Sequence, residues 1–219
     1  MAPNMALKRA RKAQRRKQVV AQKRRAEVLE ASLPARVFRA ANAPIQHCFL
    51  TESVFDIGVG TLVLARGATP HHIVVSSFLI DVFCLGIKDV IFESVEREVF
   101  EMYIDTADAG SPMVSVDPSY ARKLLRDLAA WSQSIGFAPH RDFAAVERVF
   151  GDVSADASDA GFRFGRDGKP FYIPGSNDTA PLIHRRIEQL RKSLGDDGFG
   201  LERNCLAVIL LNGDVAKNT

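Results

Sequence analysis

Two runs of apolar and β-branched residues, separated by a short breaker, constrain the fold of this chain more than any other feature. Residues 61–65 and 73–84 flank the sequence GATPH, whose glycine and proline interrupt regular structure. Such a pair of runs predicts two antiparallel strands joined as a hairpin. The second run is long and apolar on both faces of the predicted strand, which is typical of a central, buried strand.

Capping signals predict two long helices. The first begins after Asp117, an N-cap residue, has Pro118 in its first turn and ends before a glycine. The second is capped by Asp178 or Thr179 and ends at Gly195. Apolar residues recur at helical spacing in both segments, so we expect one face of each helix to pack against the core.

Four further elements are predicted from weaker patterns. They are a helix over residues 94–105, a helix over 141–150, a second hairpin with its tip at Asp167 and Gly168, and a last strand over 205–211. This order of elements predicts an α+β fold. We expect a single compact domain over residues 40–219, with two β-hairpins and about three packed helices, preceded by a helical or disordered basic arm over residues 1–39.

Positive charge is concentrated at the start of the chain. Residues 1–39 contain twelve Lys and Arg residues and two acidic residues, a net charge of +10. Residues 40–219 contain the other 17 basic and 24 acidic residues, a net charge of about −7. This asymmetry indicates an interaction arm attached to a globular domain.

The arm is composed of good helix formers, but its charges are too dense for a packed helix. Propensity favours a helix over residues 6–31. Like charges at i,i+4 repel one another and an apolar stripe is missing, so we expect the free arm to be frayed or disordered. A polyanion would remove this repulsion because it neutralises the basic side chains.

Nucleic acid is the predicted ligand of the arm, with RNA favoured over DNA, which makes the chain an RNA-binding or ribonucleoprotein-binding accessory protein. Basic side chains bind phosphates without reading sequence, and arginine-rich segments often fold on RNA. The residues expected to bind are Arg9, Arg11, Lys12, Arg15, Arg16, Lys17, Lys23, Arg24 and Arg25. We expect the acidic body to contact protein partners. A solvated tail, an arm that docks on acidic residues of its own or another copy, and a targeting peptide remain open alternatives.

Composition favours a cytoplasmic protein without a membrane segment. No apolar run approaches the roughly 18 residues that a membrane span needs. The first residues lack the apolar core of a secretory signal. The three cysteines are far apart and form no CxxC pair, so we expect neither a disulfide framework nor a structural zinc site. We also expect no resident cofactor.

Four residues suggest an alternative function, a metal-dependent nuclease or phosphohydrolase. Asp81 falls within a predicted strand, where an unpaired carboxylate is costly, and Asp89 falls in the predicted turn after it. With His140 and Asp142 they would supply oxygen and imidazole ligands to a Mg²⁺ or Mn²⁺ ion, which would activate water beside a phosphoryl group. In the interpretation without a metal, Asp81 pairs with Lys88 or caps nearby backbone groups, and His140 and Asp142 merely begin a helix.

The aromatic residues are assigned to the core. Trp131 and the phenylalanines fall at core spacings in the predicted elements. No alternation of aromatic and basic residues like that of a single-strand-binding sheet is visible.

Three sequence patterns occur in the same order in a family of bacterial proteins that this chain resembles. They are FLIDVFCLGIKDV at residues 78–90, GFAPHRDF at 136–143 and FGRDGKPFYI at 164–173. The resemblance extends from about residue 50 to about residue 200 and leaves the basic arm outside. It implies a bacterial, cytosolic protein and implies no particular chemistry.

Overall fold

The computed structural model describes residues 17, 31–67 and 69–202, and these residues form six α-helices and seven β-strands. The helices are α1 (Leu33–Ala41), α2 (Val54–Ile57), α3 (Arg97–Gly110), α4 (Pro118–Ser134), α5 (Phe143–Val146) and α6 (Ala180–Leu194). The strands are β1 (Ile45–Thr51), β2 (Val59–Arg66), β3 (His72–Asp81), β4 (Gly86–Glu96), β5 (Met113–Ser115), β6 (Phe171–Tyr172) and β7 (Gly200–Leu201). Two short 3₁₀ helices, Glu147–Phe150 and Ala155–Ala157, follow α5. The fold is mixed α+β, as predicted.

Five strands form one antiparallel sheet in the order β4, β3, β2, β1, β5. The pairing of β2 with β3 runs from Val59 opposite Asp81 to Arg66 opposite Val74, which confirms the predicted hairpin. The two remaining short strands, β6 and β7, form a separate parallel pair. Because β3 has a neighbour on each side, its backbone is paired along both edges.

Both faces of the sheet contribute to the core. On one face, Leu62 of β2 and Phe78 of β3 are fully buried in a cluster with Leu124 of α4. On the other face, Val63 of β2 is fully buried in a smaller cluster with Phe100 of α3. Successive side chains of β2 therefore enter opposite clusters, as the period of two in a strand requires. The prediction that the second run forms a central, buried strand is confirmed, because β3 lies between β4 and β2 and buries Ile73, Phe78 and Ile80.

The turn between β3 and β4 is buried, whereas connecting turns usually run over the surface. Four residues, 82–85, join the two strands, and each is 6% exposed or less. The segment before β6 covers this turn through backbone hydrogen bonds. Gly165 N–H donates to Val82 O at 2.8 Å, and Phe171 N–H donates to Phe83 O at 2.9 Å. The position of residues 162–171 is thus tied to the central hairpin.

The two capped helices occur as predicted. α4 begins after Asp117, whose carboxylate accepts a hydrogen bond from Ser119 N–H at 2.7 Å. α6 begins after Thr179 and ends at Gly195, which has a φ of +74°. Such a left-handed φ is the reason that glycine suits this helix end.

Three predicted elements differ from the observed ones. The helix predicted over 94–105 begins later, because β4 continues to residue 96. The helix predicted over 141–150 is one α-helical turn, α5, followed by a 3₁₀ helix. The second hairpin is reduced to a single bridge between Arg166 and Lys169, because its flanking residues bond to the buried turn and to β7 instead.

Two predictions lie outside the described residues. They are most of the helix over 6–31 and the last strand over 205–211. Within the described part of the chain, no helix combines the length and apolar character that crossing a membrane requires.

Candidate functional site

Asp81, the first of the four candidate acidic and histidine residues, ends β3 and caps the buried turn. Its Oδ1 accepts hydrogen bonds from Phe83 N–H at 3.1 Å and from Cys84 N–H at 2.8 Å. Its Oδ2 is buried and has no hydrogen-bond partner among the described residues. Burial raises the pKa of Asp81 to about 6, although the backbone N–H groups and the charge of Lys88 act in the opposite direction. This contact is the backbone capping expected in the interpretation without a metal.

The other three candidates lie together beside the edge strand β4. Asp89 belongs to β4 rather than to the predicted turn, because the turn is already complete at residue 85. His140 N–H donates to Ile87 O at 2.9 Å, which holds this residue against the strand edge. Its Nε2 is 3.7 Å from Asp89 Oδ1, and its Nδ1 is 4.0 Å from Asp142 Oδ2. The imidazole therefore lies between two carboxylates.

These candidates do not form a metal-binding group. In the part of the chain that the structure describes, no three or more His, Cys, Asp or Glu side chains are arranged to hold a metal ion. Asp81 uses Oδ1 for the turn, and Asp89 Oδ1 accepts a hydrogen bond from Val90 N–H at 2.8 Å. The metal-dependent enzyme stays a prediction that this geometry does not support.

A small pocket lies where the basic arm joins the rest of the chain. Its volume is about 340 Å³, and its lining includes Arg36 and Arg39 of α1, Arg66 of β2, Thr69 and His72. None of the described residues that line it is acidic. We call it the arginine pocket. Three arginine residues therefore give the lining a positive charge, which favours an anion there.

Arg66 is the buried member of the arginine pocket. It is 4% exposed, and it donates hydrogen bonds to the carbonyl oxygens of Ala41 at 2.8 Å, Ala43, and Phe150 at 2.8 Å. Its Nε is buried without an acceptor among the described residues. Burial lowers the pKa of Arg66, and the charge of Asp152 opposes this shift. The carbonyl oxygens fix the guanidinium in place, and among the described residues no carboxylate bonds to it.

A larger cavity lies near the start of β2, at the far end of that strand from Arg66. Its volume is about 890 Å³. It is lined by Phe55, Tyr120, Gly161, Phe162, Arg163, Gly165, Asp167 and Gly168. We call it the aromatic groove. The prediction that the aromatic residues serve the core is incomplete, because these three rings pack on the core and also line an open cavity.

The rings of the aromatic groove belong to a continuous series. Phe162 stacks on Phe55 with centroids 6.2 Å apart and an angle of 5° between the rings, and it meets Tyr120 edge to face at 5.1 Å. Phe162 also stacks on Phe164 at 6.0 Å, and Phe164 lies 5.3 Å from Trp131. The series joins α2, α4 and the segment before β6.

A buried polar cluster lies between β6 and α6. Tyr172 is fully buried, and its hydroxyl donates to Asp178 Oδ2 at 3.2 Å. Arg186 forms an ion pair with the same carboxylate and a hydrogen bond with the Tyr172 hydroxyl. Burial raises the pKa of Tyr172 to about 12, although the charge of Arg186 acts to lower this pKa. These polar groups satisfy one another, so the cluster stabilises the fold and offers no open site.

Of the nine arm residues expected to bind nucleic acid, the structure describes one. Lys17 is described, and its side chain is exposed. The other eight, Arg9, Arg11, Lys12, Arg15, Arg16, Lys23, Arg24 and Arg25, lie outside the described residues.

Comparison of the chain with protein-family models, curated proteins and solved structures found no match. The bacterial family that the sequence resembles therefore stays a prediction. The candidate sites rest on the residues of this chain alone.

Proposed function

We propose that this chain binds nucleic acid, with RNA favoured, through its basic arm and the arginine pocket. The observation that carries the proposal is the continuity of positive charge. Residues 1–39 have a net charge of +10, and the last two basic residues of this segment, Arg36 and Arg39, line a pocket that also contains Arg66. Each basic side chain that neutralises a phosphate releases condensed counterions, which drives binding without sequence readout.

The arginine pocket suits a phosphate group because its arginines are partly held in place. Arg66 is fixed by three carbonyl oxygens. Arg36 donates from Nη2 to Phe92 O at 3.4 Å, and its guanidinium carbon lies 5.3 Å from the centre of the Phe92 ring. Arg66 is nearly buried with its donors on carbonyl oxygens, so it contributes positive charge, whereas Arg36 and Arg39 are exposed and accessible to a phosphate. Side chains that are already ordered also lose less entropy on binding.

The acidic remainder of the chain is proposed to contact protein partners. Its net charge of about −7 disfavours phosphates over most of its surface. A surface that repels nucleic acid stays available for a protein, so one chain joins the two kinds of partner.

Charge reversal in the arginine pocket tests the proposal. Arg36 and Arg39 are both exposed, so Arg36→Glu combined with Arg39→Glu should leave the fold intact. We expect the affinity for a labelled RNA at constant salt to fall by roughly tenfold or more, because phosphate contacts become repulsive. The matched control is Arg185→Glu combined with Lys192→Glu, which makes the same change in net charge at two exposed residues of α6. The control should weaken binding far less.

Removal of residues 1–30 completes the test, because it deletes the arm and keeps α1. We expect the affinity for RNA to fall steeply, to the residual binding of the arginine pocket. RNA binding that survives both the truncation and the double substitution in the pocket would place recognition elsewhere and contradict the proposal.

A further inference from the structure

We infer that the aromatic groove binds unpaired bases of a single-stranded nucleic acid, with RNA favoured. This inference rests on the proposed function and makes it more specific: the arm and the arginine pocket hold phosphates, and the groove holds bases. Aromatic side chains bind bases by stacking, which is possible with every base and needs no hydrogen-bond readout.

The exposure of the rings distinguishes the groove from the core. Phe78 and Phe150, which belong to the core, are fully buried. Phe55, Tyr120 and Phe162 are only partly buried and line a cavity of about 890 Å³. Three partly exposed rings around one cavity offer aromatic surface to a nucleobase.

Basic residues alternate with aromatic residues over 162–171, so the expectation that the chain has no such alternation is wrong for this segment. Arg163 follows Phe162 and lines the groove, and Arg166 and Lys169 follow within six residues; all three basic side chains are exposed. Asp167 is the one acidic residue between 161 and 170, so this segment has a net charge of +2. Positive side chains beside stacking rings suit a strand whose phosphates lie next to its bases.

The segment that carries these rings is held in one conformation. Gly165 N–H donates to Val82 O of the buried turn at 2.8 Å, and Gly165 has a φ of +84°. A Cβ at this glycine would lie 2.6 Å from the backbone of Lys169, so the chain can turn this tightly only without a side chain. Rings that are fixed before binding cost less entropy when a base stacks on them.

The nucleic acid in the groove is single-stranded, because an aromatic side chain can stack only on a base whose face is exposed. In a duplex each base is covered on both faces by its neighbours, and a flat protein ring cannot reach it without unstacking. Loops and single strands expose their base faces and are the usual targets of aromatic side chains in RNA-binding proteins.

The test compares two ligands of equal charge with the full chain. One is a short oligouridylate, whose bases stack weakly on each other, and the other is an oligomer of the same length in which every residue is abasic. The arm and the arginine pocket bind both, because both carry the same phosphates. We expect the oligouridylate to bind about tenfold more tightly, since only its bases can stack in the groove. Binding should also change the fluorescence of Trp131, the single tryptophan of the chain, through Phe164 and Phe162.

Substitution by leucine removes the stacking face and keeps apolar volume. Phe162→Leu and Phe55→Leu should each abolish the preference for the oligouridylate and leave the affinity for the abasic oligomer unchanged. The matched control is Phe137→Leu, because Phe137 is a partly buried ring of a different cluster, outside the groove. The control should keep both affinities. Melting curves of each variant confirm that it is folded.

Each result has a defined meaning. Equal affinity of the wild-type chain for the two oligomers would overturn the inference that the groove binds bases, and the proposal that the arm binds phosphates would stand. A preference that survives in both folded leucine variants also overturns it. If neither oligomer binds, the proposed function itself fails.

Discussion

The two oxygens of Asp81 have different surroundings. Oδ1 accepts two backbone N–H groups of the buried turn, whereas Oδ2 has no partner among the described residues. Burial destabilises the ionised form and raises the pKa from 3.8 to about 6, so the folded protein holds this proton more tightly than the unfolded chain. The stabilisation from the bound proton is therefore complete below the unfolded pKa and is lost as the pH rises through about 6.

Asp81→Asn should raise the free energy of unfolding at pH 8 by on the order of 2 kcal/mol. Asparagine keeps an acceptor for the two N–H groups and carries no charge that burial can penalise. Near pH 4 wild type and variant should differ little, because Asp81 is then protonated in the folded state. Urea unfolding at several pH values measures both effects, with Asp159→Asn, at an exposed carboxylate, as the control. A variant that is equally destabilised at every pH contradicts this account.

At the scale of elements, helix ends were more predictable than short pairings. The cap at Asp117 and the glycine at the end of α6 act on the nearest turn, so they need no partner from elsewhere in the chain. The predicted hairpin around residues 166–169 has the turn residues it needs, with Asp167 at a φ of +55° and Gly168 at +79°. Its flanking residues nevertheless bond to the buried turn and to β7, which are tertiary contacts that the local turn residues do not specify.

Asp117→Ala should lower the free energy of unfolding by about 1 kcal/mol, because α4 loses its N-cap. The Ser119 hydroxyl and N–H donate to the Asp117 carboxylate and lower its pKa, so this stabilisation is present at neutral pH and lost as the pH falls through the folded pKa. Chemical denaturation at pH 7 and at acid pH measures the change. Asp127→Ala, in the same helix, is the control, since its exposed ion pair with Lys123 is worth little. Equal effects of the two substitutions would show that the cap has no special role.

At the scale of the whole molecule, charge separates the chain into two parts. The first 39 residues carry +10 and the remainder about −7. The arginine pocket extends the positive part onto the body through Arg66. The positive part therefore attracts a polyanion and the negative part repels it. Salt screens both interactions, so the affinity for a polyanion should depend on the salt concentration.

The affinity for RNA should fall with rising salt, with a slope on logarithmic axes of roughly 0.7 to 0.9 per phosphate contacted. Removal of residues 1–30 deletes ten basic and two acidic residues and changes the net charge from +3 to −5. The slope of the truncated chain should drop to that of the arginine pocket and groove alone. Binding titrations at several KCl concentrations give both slopes, and a slope that truncation does not change would exclude the arm from phosphate binding.

The sequence by itself determined the features that depend on near neighbours. The paired β-branched runs, the cap at Asp117, the stop at Gly195 and the uneven distribution of charge can all be read from a few consecutive residues. The α+β class follows from the order of these elements. It also follows from the sequence that a carboxylate at position 81 must be capped or paired, since it lies in an apolar run.

Only the tertiary structure decided which residues share a site. Phe55 and Phe162 lie more than a hundred residues apart, and Arg36 and Arg66 belong to different elements, yet each pair lines one cavity. Periodicity assigns an aromatic residue to a covered face, but it does not say whether the packed neighbours leave part of the ring open. That depends on which distant segments the chain brings together, and this is set by long-range packing of the whole fold, whereas propensity and capping act within a few residues.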